Sequence, residues 1–233
     1  MIFSNASRPV QGRRPGAFGL FLRTAHWAVS TLVASVSLFG AQASVAAIEA
    51  PSDATRAQHF ATQVLFAADH RQRPFAVVDK RAATITVFRG DGSRVASTPV
   101  LIGQAPGDDS MPGVGERTQQ GRLRPADLTT PAGRFDTEPG RHSSGERIVW
   151  FDYGNALSIH RVRPGPARAD RLQRLAFGGA SDRRVSAGCV VLSEAFFDTV
   201  IEPTFGRSRG VVYVMPEDVP WQRLWPALAA AGA

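Results

Sequence analysis

The apolar positions along the chain change period several times, and each change marks an element. From Ser52 to about Asp69, Phe60, Val64, Leu65 and Ala68 recur at helical spacing. Ser52 and Asp53 suit an amino-terminal cap, and Pro74 closes the segment. FAVVDKRAATITVF, from Phe75 to Phe88, then holds two short runs rich in Val, Ile, Thr and Phe, read as strands joined by a tight turn at Lys80-Arg81. Gly90-Asp91-Gly92 is a stronger turn signal and leads into RVASTPVLIG, a third strand, so the opening reads as an antiparallel meander. Gly103 to Leu128 is polar, rich in Gly, Pro and Asp, and without a period. It reads as a long irregular loop, functional or part of a lid, and lacks the Gly-Lys-Ser/Thr ending of a phosphate cradle.

Order returns at TTPAGRF (Thr129 to Phe135), where Pro131 and Gly133 set a turn into a strand. RIVWFDYGNALSIHRV reads as strand, turn, strand. In its second half Leu157 and Ile159 alternate with Ser158 and His160, which puts His160 on the face opposite the two aliphatics. Pro164 to Phe177 is arginine-rich, with Leu172, Leu175 and Ala176 on one helical side. Ser193 suits the cap of a helix through Phe196, Phe197, Val200 and Ile201, with Glu194 in its first turn. VVYVM, from Val211 to Met215, is a last strand. The tail around Trp221 and Trp225 is a short helix interrupted by Pro226. No internal repeat and no linker divides this stretch. The pattern predicts a mainly β domain, a sandwich or open barrel of two sheets with helices at its margins.

Composition adds a boundary at the amino terminus. The chain has 233 residues, 43% hydrophobic and 20% charged, which is globular, and a formal charge of +7. Arg8, Arg13, Arg14 and Arg23 fall within the first 43 residues, where there is no acid. Setting them aside leaves +3, without an aromatic-interleaved basic stripe, so no nucleic-acid partner is expected. A mild positive field suits an anionic polymer. Those arginines precede the uncharged AHWAVSTLVASVSLFGAQA, and Ala41 to Ala43 fits a small-x-small cleavage site. Residues 1–43 are therefore read as an export signal in preference to a membrane anchor, with the mature protein in the periplasm or cell envelope. Nothing in the sequence specifies an oligomeric state.

Export sharpens one question. Cys189 is the only cysteine. In an oxidising compartment a solitary thiol is either a small buried hydrophobe or a group kept for its reactivity. It sits in SAGCVVL, where Gly188 allows a sharp turn. The N–H groups of Gly188 and Cys189 could there converge beside the sulfur, as an oxyanion requires. Among the histidines, His160 alone is embedded in a strand and is the candidate base. One cysteine and scattered histidines give no metal-ligand spacing, and no Gly-x-Ser-x-Gly elbow supports a serine hydrolase.

Taken in order, FAVVDKRAATITVF, TTPAGRF, SIHRV and SAGCVVL resemble the opening hairpin, the Thr-Pro-x-Gly-x-Phe step, the histidine strand and the nucleophile loop of the L,D-transpeptidases, the YkuD-type domains of bacterial cell-wall enzymes. The resemblance runs from roughly Phe75 to Met215. It implies an L,D-transpeptidase-like β-sandwich or open barrel over residues 74–216, preceded by a helical segment at 44–73 and followed by a tail at 217–233. It implies a cysteine acyltransferase acting on peptidoglycan stem peptides, with Cys189 as nucleophile, His160 as base, Gly188 in the oxyanion hole and Ser186 orienting the loop. Arg161, Arg183 and Arg184 become candidates for stem carboxylates. No cofactor or metal is implied. Three positions depart from the usual pattern: the 29-residue separation of His160 and Cys189 is long, Ala187 replaces a His or an aromatic residue, and Val191 replaces a polar brace. Hydrolysis by an L,D-carboxypeptidase on the same fold, or wall binding without catalysis, are the alternatives.

Overall fold

The computed structural model describes residues 53–231. The expected export signal and the Ser52 cap lie outside them. In chain order the elements are α1 (Asp53–Phe66), β1 (Phe75–Asp79), β2 (Thr84–Phe88), β3 (Arg94–Pro99), β4 (Ile102–Gly103), α2 (Val114–Gln119), β5 (Gly133–Asp136), β6 (Glu138–Arg141), β7 (Arg147–Asp152), β8 (Leu157–Arg161), α3 (Arg168–Phe177), β9 (Arg184–Ser186), β10 (Val190–Leu192), α4 (Glu194–Phe196), α5 (Glu202–Phe205), β11 (Val211–Met215), α6 (Trp221–Leu224) and α7 (Pro226–Ala231). A π-helical turn, Phe197–Ile201, joins α4 to α5, and a 3-10 turn spans Pro125–Asp127.

One sheet has the order β3-β2-β1-β11-β5, a second β10-β8-β7-β6, and a two-stranded ribbon pairs β4 with β9. The first three strands form the antiparallel meander, and β11 then inserts parallel to β1. β1 reads FAVVD without a polar break because both of its faces are covered. Ala76 and Val78 point into the core between the two large sheets, where Val149, Ile159, Val190, Leu192 and Phe197 meet them. Phe75 and Val77 point the other way, into a second cluster with Phe60, Val64 and Tyr213, sealed by Trp221 and Trp225. The arrangement is an open sandwich with a helical cover. Burying each large side chain contributes about 1.5–3 kcal/mol, so Phe60 and Phe75, both fully buried, anchor that cover. Among the described residues no helix is long and apolar enough to cross a membrane.

Three local expectations need correction. Ala68 lies beyond α1 with a φ of 51°, in the turn that ends the helix. The Gly103–Leu128 stretch is not wholly irregular, because α2 forms within it. Ala176 is exposed; α3 docks instead through Leu175 and Leu172 onto Leu101, Val162 and Val191.

Lys80, in the β1–β2 turn, is only 1% exposed. Its Nζ donates to Asp108 Oδ1 at 2.6 Å, Gly107 O at 2.6 Å and Thr130 O at 3.1 Å, with Glu217 Oε1 at 3.7 Å. Asp108 also accepts from the N–H groups of Glu217 and Asp218. These bonds hold its carboxyl below the usual range despite the opposing effect of burial. A buried ammonium with this full set of partners fixes four chain segments at one point.

Candidate active site

Cys189 and His160 face one cavity of about 330 Å³. The strand ladder brings them there. β10 runs parallel to β8 with Val190 opposite Ile159 and Val191 opposite His160, so continuing the register sets Cys189 beside Ser158. Alternation then sends Ser158 and His160 to the cavity and Ile159 to the sheet–sheet core. Parallel neighbours two register positions apart lie roughly 8 Å between α-carbons. The separation in sequence is thereby closed by one strand pairing.

The turn before β10 is stapled from several sides. Gly188 has a φ of 115°, a backbone that side chains rarely adopt, and a Cβ there would meet Thr129 O at 2.6 Å. Ser186 Oγ donates to Cys189 O at 2.7 Å and accepts from Gly188 N–H at 3.1 Å. Thr130 Oγ1 donates to Gly188 O at 2.8 Å and accepts from Gly103 N–H at 2.8 Å, while the Thr130 carbonyl accepts from Lys80. Of the two N–H groups expected at an oxyanion, that of Gly188 thus donates to Ser186 Oγ here. The Cys189 N–H makes no hydrogen bond among the described residues.

Among the described residues the sulfur has two hydrogen-bond partners, Ser158 Oγ at 3.7 Å and Ala156 O at 3.8 Å, the latter accepting from the thiol. The imidazole is not hydrogen-bonded to it. His160 Nδ1–H instead donates to the carbonyl of Arg161 at 2.8 Å, which leaves Nε2 as the acceptor nitrogen. The ring is 5% exposed by surface. Burial lowers its pKa to about 4, and the Arg163 guanidinium pushes the same way, with Arg171 adding to it; the Arg161 carbonyl and Glu146 oppose. His160 is therefore neutral, in its basic form, at neutral pH.

The arginines expected at the site do not meet there. Arg161 shares the face of Leu157 and Ile159, away from His160. It lies 4.7 Å over the Phe197 ring and pairs with Asp198 at 3.0 Å. Arg183 reaches the carbonyls of Arg174 and Ala82. Arg184 pairs with Glu217, inside the Lys80 network. The cavity is lined instead by Arg163 and Arg171. Arg163 Nε donates to Glu146 Oε2 at 2.7 Å, whereas the Arg171 guanidinium has no partner among the described residues. His142, on the β6–β7 hairpin, and Trp150 complete the far wall.

The Gly103–Leu128 stretch contributes Thr118 and Leu123 to the same cavity. Arg117 and Arg124 clamp buried Asp127 at its base, holding that carboxyl well below the usual range. Val191 supports the nucleophile strand by packing with Leu101, Val162 and Leu175, so that its support is an apolar contact with α3. Ala187 is exposed on the cavity rim. Among the described residues no group of three His, Cys, Asp or Glu side chains gathers for a metal ion.

No protein-family model and no curated protein sequence matches the chain. Solved structures do. An L,D-transpeptidase from Mycobacterium smegmatis matches at 18% identity and a TM-score of 0.34, over 61% of this chain and 58% of that one. The catalytic domain of an Enterococcus faecium L,D-transpeptidase matches at 18% identity and a TM-score of 0.33, over 63% of this chain and 99% of that one. A variant of the helical cell shape determining protein Pgp2 from Campylobacter jejuni matches at 13% identity and a TM-score of 0.41, over 75% and 61%. This chain spans a little over half the length of the mycobacterial protein.

Proposed function

We propose that the chain is an exported L,D-transpeptidase, a cysteine acyltransferase that acts on peptidoglycan stem peptides through a thioester on Cys189. The observation that carries this reading is the pairing of β8 with β10, which turns a thiol and a neutral imidazole toward one cavity with a guanidinium at its wall. His160 Nε2 takes the thiol proton, either after the sulfur swings away from Ala156 O or through one water. The sulfur attacks the carbonyl of the third stem residue, and the Cys189 N–H holds the oxygen as it becomes negative. Collapse expels the terminal D-residue as an amine, which receives its proton from His160, and leaves the acyl group on sulfur. An acceptor amine attacks the thioester and gives its proton to His160; collapse breaks the carbon–sulfur bond, and the departing sulfur takes that proton back from His160 as the thiol. The Arg161 carbonyl keeps the ring turned so that Nε2 serves each transfer.

Arg171 and Arg163 suit the stem carboxylates. Their engagement would also remove two positive charges that disfavour the imidazolium, so a bound carboxylate strengthens the base when the proton must move. Incubating the protein with a purified tetrapeptide stem tests the reaction by mass spectrometry. A crosslinked dimer with loss of the terminal residue is the expected product. Tripeptide alone identifies hydrolysis in place of transfer, and unchanged tetrapeptide contradicts catalysis.

A further inference from the structure

Ser158 has no role in the reaction as written, yet its position is unusual for a hydroxyl. It is 2% exposed, on the face of β8 that it shares with buried His160 and opposite the aliphatic face of Leu157 and Ile159. A buried hydroxyl without a partner costs about 1–3 kcal/mol, so such groups are nearly always bonded. The only hydrogen-bond partner of Ser158 Oγ among the described residues is Cys189 Sγ, at 3.7 Å. The other polar neighbour of the sulfur, Ala156 O, can only accept. While Cys189 carries its proton, the thiol donates to Ala156 O and the sulfur accepts from Ser158. Once the proton has left for His160, Ala156 O offers nothing to the sulfur, and the Ser158 hydroxyl is a side-chain donor already within hydrogen-bond distance of it.

Building on the acyltransferase reading, we propose that Ser158 is a third catalytic side chain, whose O–H donates to the Cys189 sulfur, holds the thiolate as it forms and aims it into the cavity. The Ser158 proton stays on its oxygen throughout; the thiol proton goes to His160, and no bond to Ser158 is made or broken. The backbone supports the same geometry. Ala156, two residues before Ser158, holds a φ of 59°, a conformation disfavoured for a residue with a Cβ, and its carbonyl lies 3.8 Å from Sγ. The titratable and charged groups lining the cavity that the sulfur faces are His160 from β8, Arg163 beyond it, Arg171 from α3 and His142 from the β6–β7 hairpin. None of them bonds to Sγ, so a change at Ser158 is read at the sulfur directly.

Cys189 is the sole thiol, so alkylation by iodoacetamide across a pH series, followed by intact mass, reports on it alone. In the full chain, Ser158→Ala is expected to raise the pH midpoint of alkylation by about one unit and to slow labelling about tenfold below it, with the high-pH limit unchanged. Ser158→Thr, which keeps the hydroxyl, is expected to restore the midpoint, a rescue that a packing role alone does not give. Thermal unfolding of both variants checks that the site is intact. A Ser158→Ala profile that superimposes on wild type, or a shift that Thr shares in full, overturns the proposal. Carbapenem acylation of wild type separates it from its parent reading. A carbapenem adduct with an unmoved Ser158→Ala profile removes only the role of Ser158, whereas a moved profile without an adduct removes the acyl transfer.

Discussion

Val191 stands opposite His160 in the parallel ladder of β8 and β10, and Cys189 therefore falls beside Ser158, two positions short of the imidazole. The relation assigns the sulfur its neighbours and sets what each substitution around it should do.

His160 gives the clearest pH signature. Its folded pKa is about 4, below the ordinary 6.5, so on acidification the unfolded chain takes up the proton first. The stability that neutral His160 contributes is present above the ordinary value and declines as pH falls from 6.5 toward 4, by about 3 kcal/mol in all. Urea unfolding of wild type should show this slope, and His160→Gln should flatten it. The acid limb of acylation should lie near pH 4 rather than near the ordinary value.

Arg171 contributes to that depression from the cavity wall. Arg171→Met should raise the His160 pKa, read from the imidazole proton resonances, and should weaken binding of a carboxylate-bearing stem. Amidation of the stem carboxylate should reproduce the binding loss in wild type and add little in the variant.

Lys80 should be among the most sensitive positions in the fold. Lys80→Met leaves Asp108 and Glu217 facing each other without the ammonium, and removing one partner of a buried pair costs about 3–5 kcal/mol. Adding Asp108→Asn should recover part of the loss in denaturant unfolding. A loss confined to a few tenths of a kcal/mol would show that the network is solvated.

Gly188 tests the nucleophile turn. Any side chain there meets the Thr129 carbonyl and the Leu157 side chain, and the φ of 115° is itself disfavoured. Gly188→Ala should destabilise by about 1–3 kcal/mol and slow alkylation of Cys189. Ala156→Gly, at a position with φ of 59°, should leave stability unchanged or raise it.

Much of this was legible in the residues. Period-two runs located the strands, and the alternation through Leu157, Ser158, Ile159 and His160 gave the face of the imidazole. The same alternation excludes Arg161 from the cavity, since it shares the parity of Ile159, and it draws attention to Ser158. Arg163 and Arg171 were harder to find. One follows the end of β8, where strand parity lapses, and the other depends on how α3 docks, which Leu172 and Leu175 decide through contacts remote in sequence. Lys80 read only as a turn residue because nothing local announces Asp108, Thr130 and Glu217 around it. The capture of Gly188 N–H by Ser186 is likewise a matter of turn geometry rather than residue type.

The central claim is that Cys189 accepts an acyl group with His160 as its base, and intact-mass measurement after exposure to a carbapenem tests it most directly. The account predicts an adduct of the antibiotic's mass on the wild-type chain, none on Cys189→Ala, and slow formation on His160→Gln. A wild-type chain that stays unmodified while iodoacetamide still reaches the thiol would contradict it.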